Sequence, residues 1–318
     1  MVPASPPSTP HPESFAMRPL RIAQLSDTHF VEPGELAEGG FAYDTAQAFD
    51  AVFDAIEDQD SYDLVVVTGD IADHGRPAQY QRASEAFGRF SAPVNTCPGN
   101  HDQTLAFTAG MGKPTVAMSR AIELGPWCFL FVDSNRGAMV PDEQGRLIDP
   151  QRYEDRLHGN GSLGAREQSW IRDMCATTDA EHVFVWLHHP PNPAAGIGRD
   201  EAYTAEWRAT LADLPTVRGF GGGHTHVPAL YEFEGRSVHV CPALKNNFDL
   251  EAKTLLPPGF RSYDFFPDGK VTSESHVIDH PRWPRHPLGR AVIALLNGEL
   301  TWTEFEEIAA RKRAENAT

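Results

Sequence analysis

The sequence predicts an α/β fold: a four-layer αββα sandwich of two mixed β-sheets flanked by helices, with a small C-terminal helical appendage. In the first half, short runs of Val, Ile, Leu and Phe alternate with segments of helical periodicity, as in sheets covered on both faces. From residue 116 onward, hairpin signals become frequent, and they indicate antiparallel strands added to those sheets.

Five short apolar runs are predicted as the strands at the centre of the sheets. Each is bounded by polar or glycine-containing segments, and the intervening chain is long enough for a covering helix. The runs are Leu20–Leu25, Leu64–Thr68, Val94–Cys97, Val183–Leu187 and Val217–Phe220.

Helices and hairpins are predicted around these strands. Asp44 is expected to cap the first helix, with Gln47 reaching back as its capping-box partner. Two further covering helices are predicted at Gln79–Phe90 and Arg166–Cys175. The predicted antiparallel pairs are Ala117–Leu124 with Trp127–Asp133, Leu230–Phe233 with Ser237–Cys241, and Arg261–Phe266 with Val271–Ile278.

Composition divides the chain into three parts. Residues 1–18 are rich in Pro and Ser and are expected to form a disordered lead-in. Residues 19–279 hold the main domain, and the proline-rich segment that follows begins a C-terminal helical extension at residues 280–318. The pattern leaves open whether this extension packs on the core, dimerises or covers the entrance to a site. Its predicted helices are Leu288–Leu296 and Thr303–Arg313.

Charge and hydropathy exclude several classes of partner. The 44 acidic against 27 basic residues give a formal charge of −17, which repels nucleic-acid backbones and anionic lipid surfaces. No apolar stretch approaches the roughly 18 to 20 residues of a membrane span, and the N-terminus lacks the pattern of a secretory signal. The four cysteines show no CxxC spacing. We therefore expect a cytoplasmic protein that binds no nucleic-acid polymer and has no membrane span.

Each of the five strands is followed by residue types that bind metals. Open α/β sheets bind ligands at the carboxyl ends of their strands, so these fragments are expected at one edge. Taken singly, Asp and Asn here would be typical turn or cap residues, but together they predict a two-metal hydrolase. The fragments are Asp27-Thr-His29, Gly69-Asp70, Gly99-Asn100-His101-Asp102, His188-His189-Pro190 and Gly223-His224-Thr225-His226.

Spacing indicates how these ligands could be shared. Asp27 and His29 lie two residues apart, on the same side of an extended segment, so both can reach one ion. His224 and His226 have the same spacing. Asp70 follows Gly69 on a tight turn and is the natural bridge, because a carboxylate commonly bridges ions about 3.5 to 4 Å apart.

The ordered set D-x-H, G-D, G-N-H-D, H-x-P and G-H-T-H resembles the calcineurin-like metallophosphoesterase superfamily over residues 20–278. The resemblance implies two sets of metal ligands that share Asp70. It also implies that His101 is not a ligand but a proton donor or transition-state stabiliser, with Asp102 orienting it. The first set is Asp27, His29 and His226, and the second is Asn100, His188 and His224.

Seven ligands that mix imidazole and oxygen donors suit two divalent or trivalent transition-metal ions, such as Mn, Fe, Zn or Ni. The resemblance implies that a metal-bound hydroxide attacks phosphorus while His101 protonates the leaving oxygen. The H-x-P spacing favours His188 over His189 as the ligand, and His189 is interpreted as a packed or hydrogen-bonded neighbour. Asp73 and His74 are interpreted as a helix cap and a solvated histidine.

Substrate class follows from a narrower resemblance. Four blocks are most similar to class III cyclic nucleotide phosphodiesterases, which implies a small phosphodiester substrate such as 3′,5′-cyclic AMP. Glycerophosphodiesters, 2′,3′-cyclic nucleotides and phospholipid head groups stay open as alternatives, and so does a homodimer. The rival of another class is a catalytically silent protein-binding scaffold, which the complete ligand set disfavours. The blocks are Leu64–Asp73, Pro98–Asp102, Leu187–Pro191 and Val240–Ala243.

Overall fold

The computed structural model describes residues 18–35, 44–59, 61–113, 116–141, 147–148, 160–193, 197 and 200–316. The predicted lead-in, residues 1–18, lies outside these ranges except for Arg18. In chain order the strands are β1 Leu20–Leu25, β2 Leu64–Thr68, β3 Val94–Cys97, β4 Val116–Ala117, β5 Ala121–Leu124, β6 Trp127–Phe131, β7 Val140–Pro141, β8 Leu147–Ile148, β9 His182–Trp186, β10 Val217–Gly222, β11 Ala229–Phe233, β12 Arg236–Val240, β13 Phe248–Asp249, β14 Thr254–Leu255, β15 Gly259–Phe265 and β16 Val271–Val277.

These strands form two mixed sheets of six strands each and two short hairpins. The first sheet has the order β16-β15-β1-β2-β3-β4, in which β1 to β4 are parallel and β15 and β16 are antiparallel additions. The second sheet has the order β11-β12-β10-β9-β6-β5, in which the four inner strands are parallel and β5 and β11 are antiparallel. The three predicted hairpins are therefore confirmed as antiparallel pairs. The strand predicted at Ala117–Leu124 is shorter than expected, since it begins at Ala121 and Ala117 pairs with Asn95 of the first sheet.

Three apolar cores give the molecule its four layers. Side chains such as Trp127, Trp186 and Phe265 fill the space between the two sheets, and each of these three is at most 1% exposed. A second core joins the first sheet to three helices, and a third joins the second sheet to two helices. The αββα sandwich predicted from the sequence is confirmed. The helices are α1 Thr45–Glu57, α2 Pro77–Phe87, α3 Thr104–Met111, α4 Gly164–Thr177, α5 Glu201–Leu211, α6 Arg290–Leu296 and α7 Trp302–Asn316.

Helix α1 begins where the sequence predicts, because the Asp44 side chain accepts a hydrogen bond from the backbone N–H of Ala46. Helices α3 and α5 were not predicted. Helix α3 buries only Phe107 and Met111, so its apolar pattern is weak. Helix α5 has a readable start signal, since the Asp200 side chain accepts from the two N–H groups of the first turn.

The described part of the C-terminal extension packs against the β13–β14 hairpin. Leu288 and Leu296 form an apolar cluster with Leu255 of that hairpin. Two backbone hydrogen bonds fasten the segment, from Leu255 N–H to the His286 carbonyl (3.2 Å) and from Leu288 N–H to the Lys253 carbonyl (2.8 Å). The boundary at residue 280 stays a prediction. Among the helices of the described residues, none has the length and apolar character needed to cross a membrane.

His239 is a buried imidazole held between the sheets by two serines. Its Nδ1 lies 2.7 Å from Ser273 Oγ and its Nε2 lies 2.9 Å from Ser237 Oγ. Hydroxyl groups can donate to one ring nitrogen and accept from the other, so the neutral ring is fully satisfied. Burial, together with the nearby Arg261 guanidinium, lowers the pKa of His239 to about 3.

This pKa predicts a specific loss of stability in acid. Between pH 6.5 and about 3 the unfolded chain binds a proton at His239 that the native protein does not. As the pH is lowered through this range, His239 should therefore reduce the free energy of unfolding by up to about 1.4 kcal/mol per pH unit. A His239→Gln variant should lose this contribution to the pH dependence of the unfolding free energy. That dependence would be measured by urea titrations of metal-free protein at a series of pH values. The same pH dependence in wild type and in His239→Gln would contradict the lowered pKa of His239.

Candidate metal centre

The ends of five parallel strands meet at one edge of the sandwich, where the two sheets are joined. Gln24 Nε2 of the first sheet donates to the Gly222 carbonyl of the second (3.0 Å), and the His224 N–H lies 3.1 Å from Asp27 Oδ2. The Leu244 N–H, beyond β12, donates to the Ser26 carbonyl (3.2 Å). Asp70 in turn accepts from the His101 N–H (2.8 Å) and lies 3.2 Å from His188 Nε2, so all five fragments predicted from the sequence lie together.

Left-handed backbone is concentrated at this edge. Side chains with a Cβ avoid positive φ at a cost of order 1 to 3 kcal/mol, and such residues persist where the surrounding structure enforces them. The extended segments expected from the i, i+2 spacing of these ligands are therefore not found. Sharp turns instead direct side chains from different strands toward a common point. The proposed ligands with positive φ are Asp27 (54°), His29 (42°), Asp70 (49°), His224 (65°) and His226 (54°).

Two glycines allow the fragments to approach one another. Gly69 has a φ of +82°, and a Cβ there would lie 2.7 Å from the Gly99 nitrogen and 2.7 Å from His188 Nδ1. A Cβ at Gly223 would collide with the Ser26 hydroxyl and the Asp27 carboxylate. The glycines beside the ligands thus serve close packing of neighbouring turns.

Asp70 lies at the centre of the cluster. Its Oδ2 is 3.2 Å from His188 Nε2 and 3.6 Å from His29 Nε2. Asp27 Oδ1 is 3.2 Å from His226 Nε2, and Asn100 Oδ1 is 3.1 Å from His188 Nε2. Because Asp70 faces imidazoles from both predicted ligand sets, its position suits a bridging carboxylate.

Four groups of three side chains could each bind a metal ion. Every residue offers one ligand atom, and the three atoms of a group lie within 4.8 Å of one another. One group is the first ligand set predicted from the sequence, and Asp70 belongs to two groups. His189 groups with the second set, while its Nδ1 contacts Ser134 Oγ at 2.8 Å, as expected of a hydrogen-bonded neighbour. The groups are Asp27, His29 and His226; His188, His189 and His224; His29, Asp70 and His101; and Asp27, Asp70 and His188.

The imidazoles are oriented for ligation. Nδ1 of His29 contacts Asp73 Oδ1 (2.8 Å), Nδ1 of His188 contacts the Thr68 carbonyl (2.8 Å), and Nδ1 of His226 contacts the Asn246 carbonyl (3.2 Å). Such acceptors place the proton on Nδ1 and leave the Nε2 lone pair for a metal.

Two buried nitrogens show that the donor set fits metal ions. Within the described part of the chain, Nε2 of His29 and Nε2 of His224 are buried and have no hydrogen-bond partner. An unsatisfied buried polar atom is costly unless a ligand binds it. Imidazole nitrogens combined with carboxylate and amide oxygens are the donors that first-row transition metals take.

One imidazole at the centre, that of His188, has a raised pKa. Burial would lower the pKa of His188, but the Asp70 and Asp27 carboxylates and the Thr68 carbonyl together outweigh burial and raise the pKa to about 9. Burial likewise opposes ionisation of Asp70, yet His188 holds its pKa well below the usual value. For His29 and His224, burial lowers the pKa to about 3. Metal binding at His188 must therefore displace a proton.

His101 occupies the more open side of the centre. Its side chain is 15% exposed, against 3% for Asp70, and its Nε2 lies 4.0 Å from Asp70 Oδ2. Its Nδ1 contacts the Asp73 carbonyl oxygen at 2.6 Å. The ring therefore presents Nε2 toward the cluster from the side that solvent can reach, which suits a group that contacts substrate.

The predicted role of Asp102 needs correction. The hydrogen bond at the His101 ring is made by Asp73, and the Asp102 carboxylate accepts from the backbone N–H of Gly99 (2.9 Å), the N–H of Ala72 (3.2 Å) and the Tyr80 hydroxyl (3.0 Å). Burial and the Asp70 charge raise the pKa of Asp102 to about 6. Asp102 thus fastens the turn that carries His101 to the turn that carries Asp70.

Sequence reasoning missed two residues of the centre. Asp73 was interpreted as a helix cap, but its carboxylate contacts His29 and its carbonyl contacts His101. Lys245 was not singled out, although its Nζ lies 2.6 Å from Asp73 Oδ1. Asp73 could have been found as the acid three residues after the Gly-Asp turn, whereas Lys245 lies in a loop without a motif.

Comparison with known proteins agrees with this geometry. A family model described as calcineurin-like phosphoesterase matches residues 20–228. The chain is 28% identical over 277 residues to 3′,5′-cyclic adenosine monophosphate phosphodiesterase CpdA of Escherichia coli (strain K12), covering 83% of this chain and 92% of that protein. It is 25% identical over 234 residues to glycerophosphodiester phosphodiesterase GpdQ of Enterobacter lignolyticus, covering 70% and 77%.

A solved structure shares the fold at low sequence identity. The crystal structure of a dimetal phosphatase from Danio rerio superposes with a TM-score of 0.59 at 15% identity, covering 82% of this chain and 100% of that one. At this identity the likeness concerns the fold alone.

Proposed function

The chain belongs to the calcineurin-like phosphoesterase family and is a metal-dependent phosphodiesterase, and from this premise we propose that its substrate is a 3′,5′-cyclic nucleotide such as cyclic AMP. One observation supports the proposal most strongly. The described residues form four groups whose ligand atoms lie within 4.8 Å of one another in each group, and Asp70 belongs to two of these groups. A catalytically silent scaffold has no need of such a set, so the enzyme is favoured.

We assign the ligands as the family resemblance implies. Asp27, His29 and His226 would hold one ion, and Asn100, His188 and His224 the other, with Asp70 shared between them. When bound, two such ions lower the pKa of a water molecule and neutralise charge on the phosphoryl oxygens. Manganese, iron, zinc and nickel all suit these donors.

His101 would supply the proton for the leaving group. A ribose alkoxide is a strong base and leaves readily only when it is protonated. The Asp73 carbonyl holds Nδ1–H of His101, so its Nε2 is the nitrogen that faces the cluster and can carry the transferable proton. This assignment uses His101 as a general acid and requires no covalent intermediate on the protein.

Three features support a small cyclic nucleotide over other esters. The formal charge of −17 disfavours polymeric nucleic acid. The Phe248 ring lies beside the centre, with its centroid 6.0 Å from that of His226, and could contact a nucleobase. The relative from Escherichia coli carries the name of a cyclic AMP phosphodiesterase. A glycerophosphodiester is the second candidate, because GpdQ of Enterobacter lignolyticus also matches.

A turnover panel tests the substrate. Metal-loaded protein would be assayed with 3′,5′-cyclic AMP, 2′,3′-cyclic AMP, glycerophosphocholine and a phosphomonoester, with chelator-treated protein as control. We expect the highest kcat/KM for 3′,5′-cyclic AMP and no turnover without metal. A higher kcat/KM for glycerophosphocholine would move the assignment to the second candidate. Homodimerisation and a cytoplasmic location stay predictions from the sequence.

A further inference from the structure

A buried lysine is joined to the metal centre through one carboxylate oxygen. Lys245 Nζ lies 2.6 Å from Asp73 Oδ1, and the same oxygen lies 2.8 Å from His29 Nδ1. The exposed fractions of these side chains are 8% for Lys245, 0% for Asp73 and 1% for His29. The three groups therefore form one buried chain that runs from a cation to a proposed metal ligand.

Backbone contacts hold both ends of this chain in place. The Lys245 N–H donates to the Asp27 carbonyl (3.1 Å), so the lysine is fastened to a residue of the first ligand set. The Asp73 N–H donates to the Phe30 carbonyl (3.1 Å), one residue after His29. The Asp73 carbonyl also contacts His101 Nδ1 (2.6 Å). Asp73 thus positions two imidazoles at once, one through its carboxylate and one through its carbonyl.

The lysine solves an electrostatic problem. A carboxylate that accepts from the N–H of a ligating histidine fixes the ring and makes it a better donor. A fully buried carboxylate is nevertheless costly without a nearby cation, and it turns toward any water or charge it can reach. Asp73 lies close to the proposed metal ions. Without Lys245, its carboxylate would turn toward those ions, and Oδ1 would no longer face His29 Nδ1. The ammonium group offsets the charge and keeps Oδ1 on His29 Nδ1.

We infer that Lys245 is a positioning residue for the metal held by Asp27, His29 and His226, and that it acts through Asp73. The inference rests on the proposed function, since it takes His29 as a metal ligand. It also predicts an asymmetry, because the second ligand set is held by other groups. His188, for example, is oriented by the Thr68 carbonyl.

A double-mutant cycle on metal affinity tests this role. Dissociation constants for both Mn²⁺ ions would be measured by chelator competition for wild type, Lys245→Met, Asp73→Asn and the double variant. We expect Lys245→Met to weaken one ion roughly 10- to 100-fold and to leave the other unchanged. The double variant should bind no more weakly than Asp73→Asn alone, because Lys245 acts through Asp73. Lys270→Met, at an exposed lysine, is the matched control and should bind like wild type.

Several outcomes would overturn the inference. Wild-type affinity in Lys245→Met would do so, and so would equal weakening of both ions or losses that add in the double variant. If Lys245→Met did not fold, the metal affinities of Asp73→Asn and the double variant would still test the inference, because the double variant leaves no buried carboxylate without a cation. Weaker binding by the double variant than by Asp73→Asn would contradict a role of Lys245 through Asp73. Wild-type protein that bound no metal would refute the proposed function as well, whereas normal wild-type binding with an unaffected Lys245→Met would refute only the role of Lys245.

Discussion

Replacing Asp70 by asparagine is expected to abolish phosphodiester hydrolysis and to strip the protein of at least one metal ion. Asp70 Oδ2 lies 3.6 Å or less from Nε2 of both His29 and His188, which belong to different ligand sets. Asparagine keeps the shape but supplies a neutral oxygen in place of a shared negative charge. Because the paired metals contribute several kcal/mol of transition-state stabilisation, kcat/KM should fall on the order of a thousandfold or more.

Metal content and kcat/KM measured on the same preparation test the Asp70 prediction. Asp213→Asn, at an exposed aspartate, removes the same charge before the start of β10, whereas the ligand His224 follows the other end of that strand; this variant should leave both quantities unchanged. Asp70→Asn that kept two ions and near wild-type turnover would show that another group bridges the metals.

Replacing His101 by alanine should slow catalysis and leave the metals in place. The His101 ring is held by the Asp73 carbonyl, and its Nε2 lies 4.0 Å from Asp70 Oδ2, which is beyond hydrogen-bond distance. General acid catalysis contributes about 10² to 10⁴ in rate, so kcat for 3′,5′-cyclic AMP should fall by that factor. The loss should be much smaller for bis-p-nitrophenyl phosphate, whose nitrophenolate leaves without a proton.

Comparison of the two substrates distinguishes the loss of a proton donor from a general disturbance of the active site. An equal loss for both would assign His101 to stabilisation of charge on the phosphoryl group rather than to the leaving oxygen. Loss of metal from His101→Ala would show that His101 is a ligand, contrary to the assignment. Far-UV circular dichroism of the variant would confirm that the fold is intact.

The architecture was predictable because it rests on local patterns. Strands β1, β2 and β3 have the bounds that their apolar runs predict, and α1 begins at its predicted cap. Hairpins with tight turns were equally visible. Helix α3 was missed because it buries only two residues, which is too few to give a clear amphipathic pattern.

The metal centre was predictable for a different reason. Parallel strands align their carboxyl ends, so residues that follow separate strands meet whatever their distance along the chain. His224 and Asp27 lie 197 residues apart, and their contact was nevertheless expected from the positions of their strands.

The supporting contacts were not predictable, because they depend on loop geometry. Asp102 was expected to orient His101. Its carboxylate instead accepts hydrogen bonds from backbone N–H groups of two turns, and the Asp73 carbonyl contacts the His101 ring. Lys245 reaches Asp73 across 172 residues from a loop with no strand to place it. Side chains placed by irregular backbone have no periodicity to reveal them.

Anomalous X-ray diffraction from crystals of the Mn²⁺-loaded protein tests the central claim most directly, because it locates each ion and its ligands. We expect two peaks, one beside Asp27, His29 and His226 and the other beside Asn100, His188 and His224, with Asp70 beside both. A single peak, or two peaks that do not share Asp70, would contradict the claim.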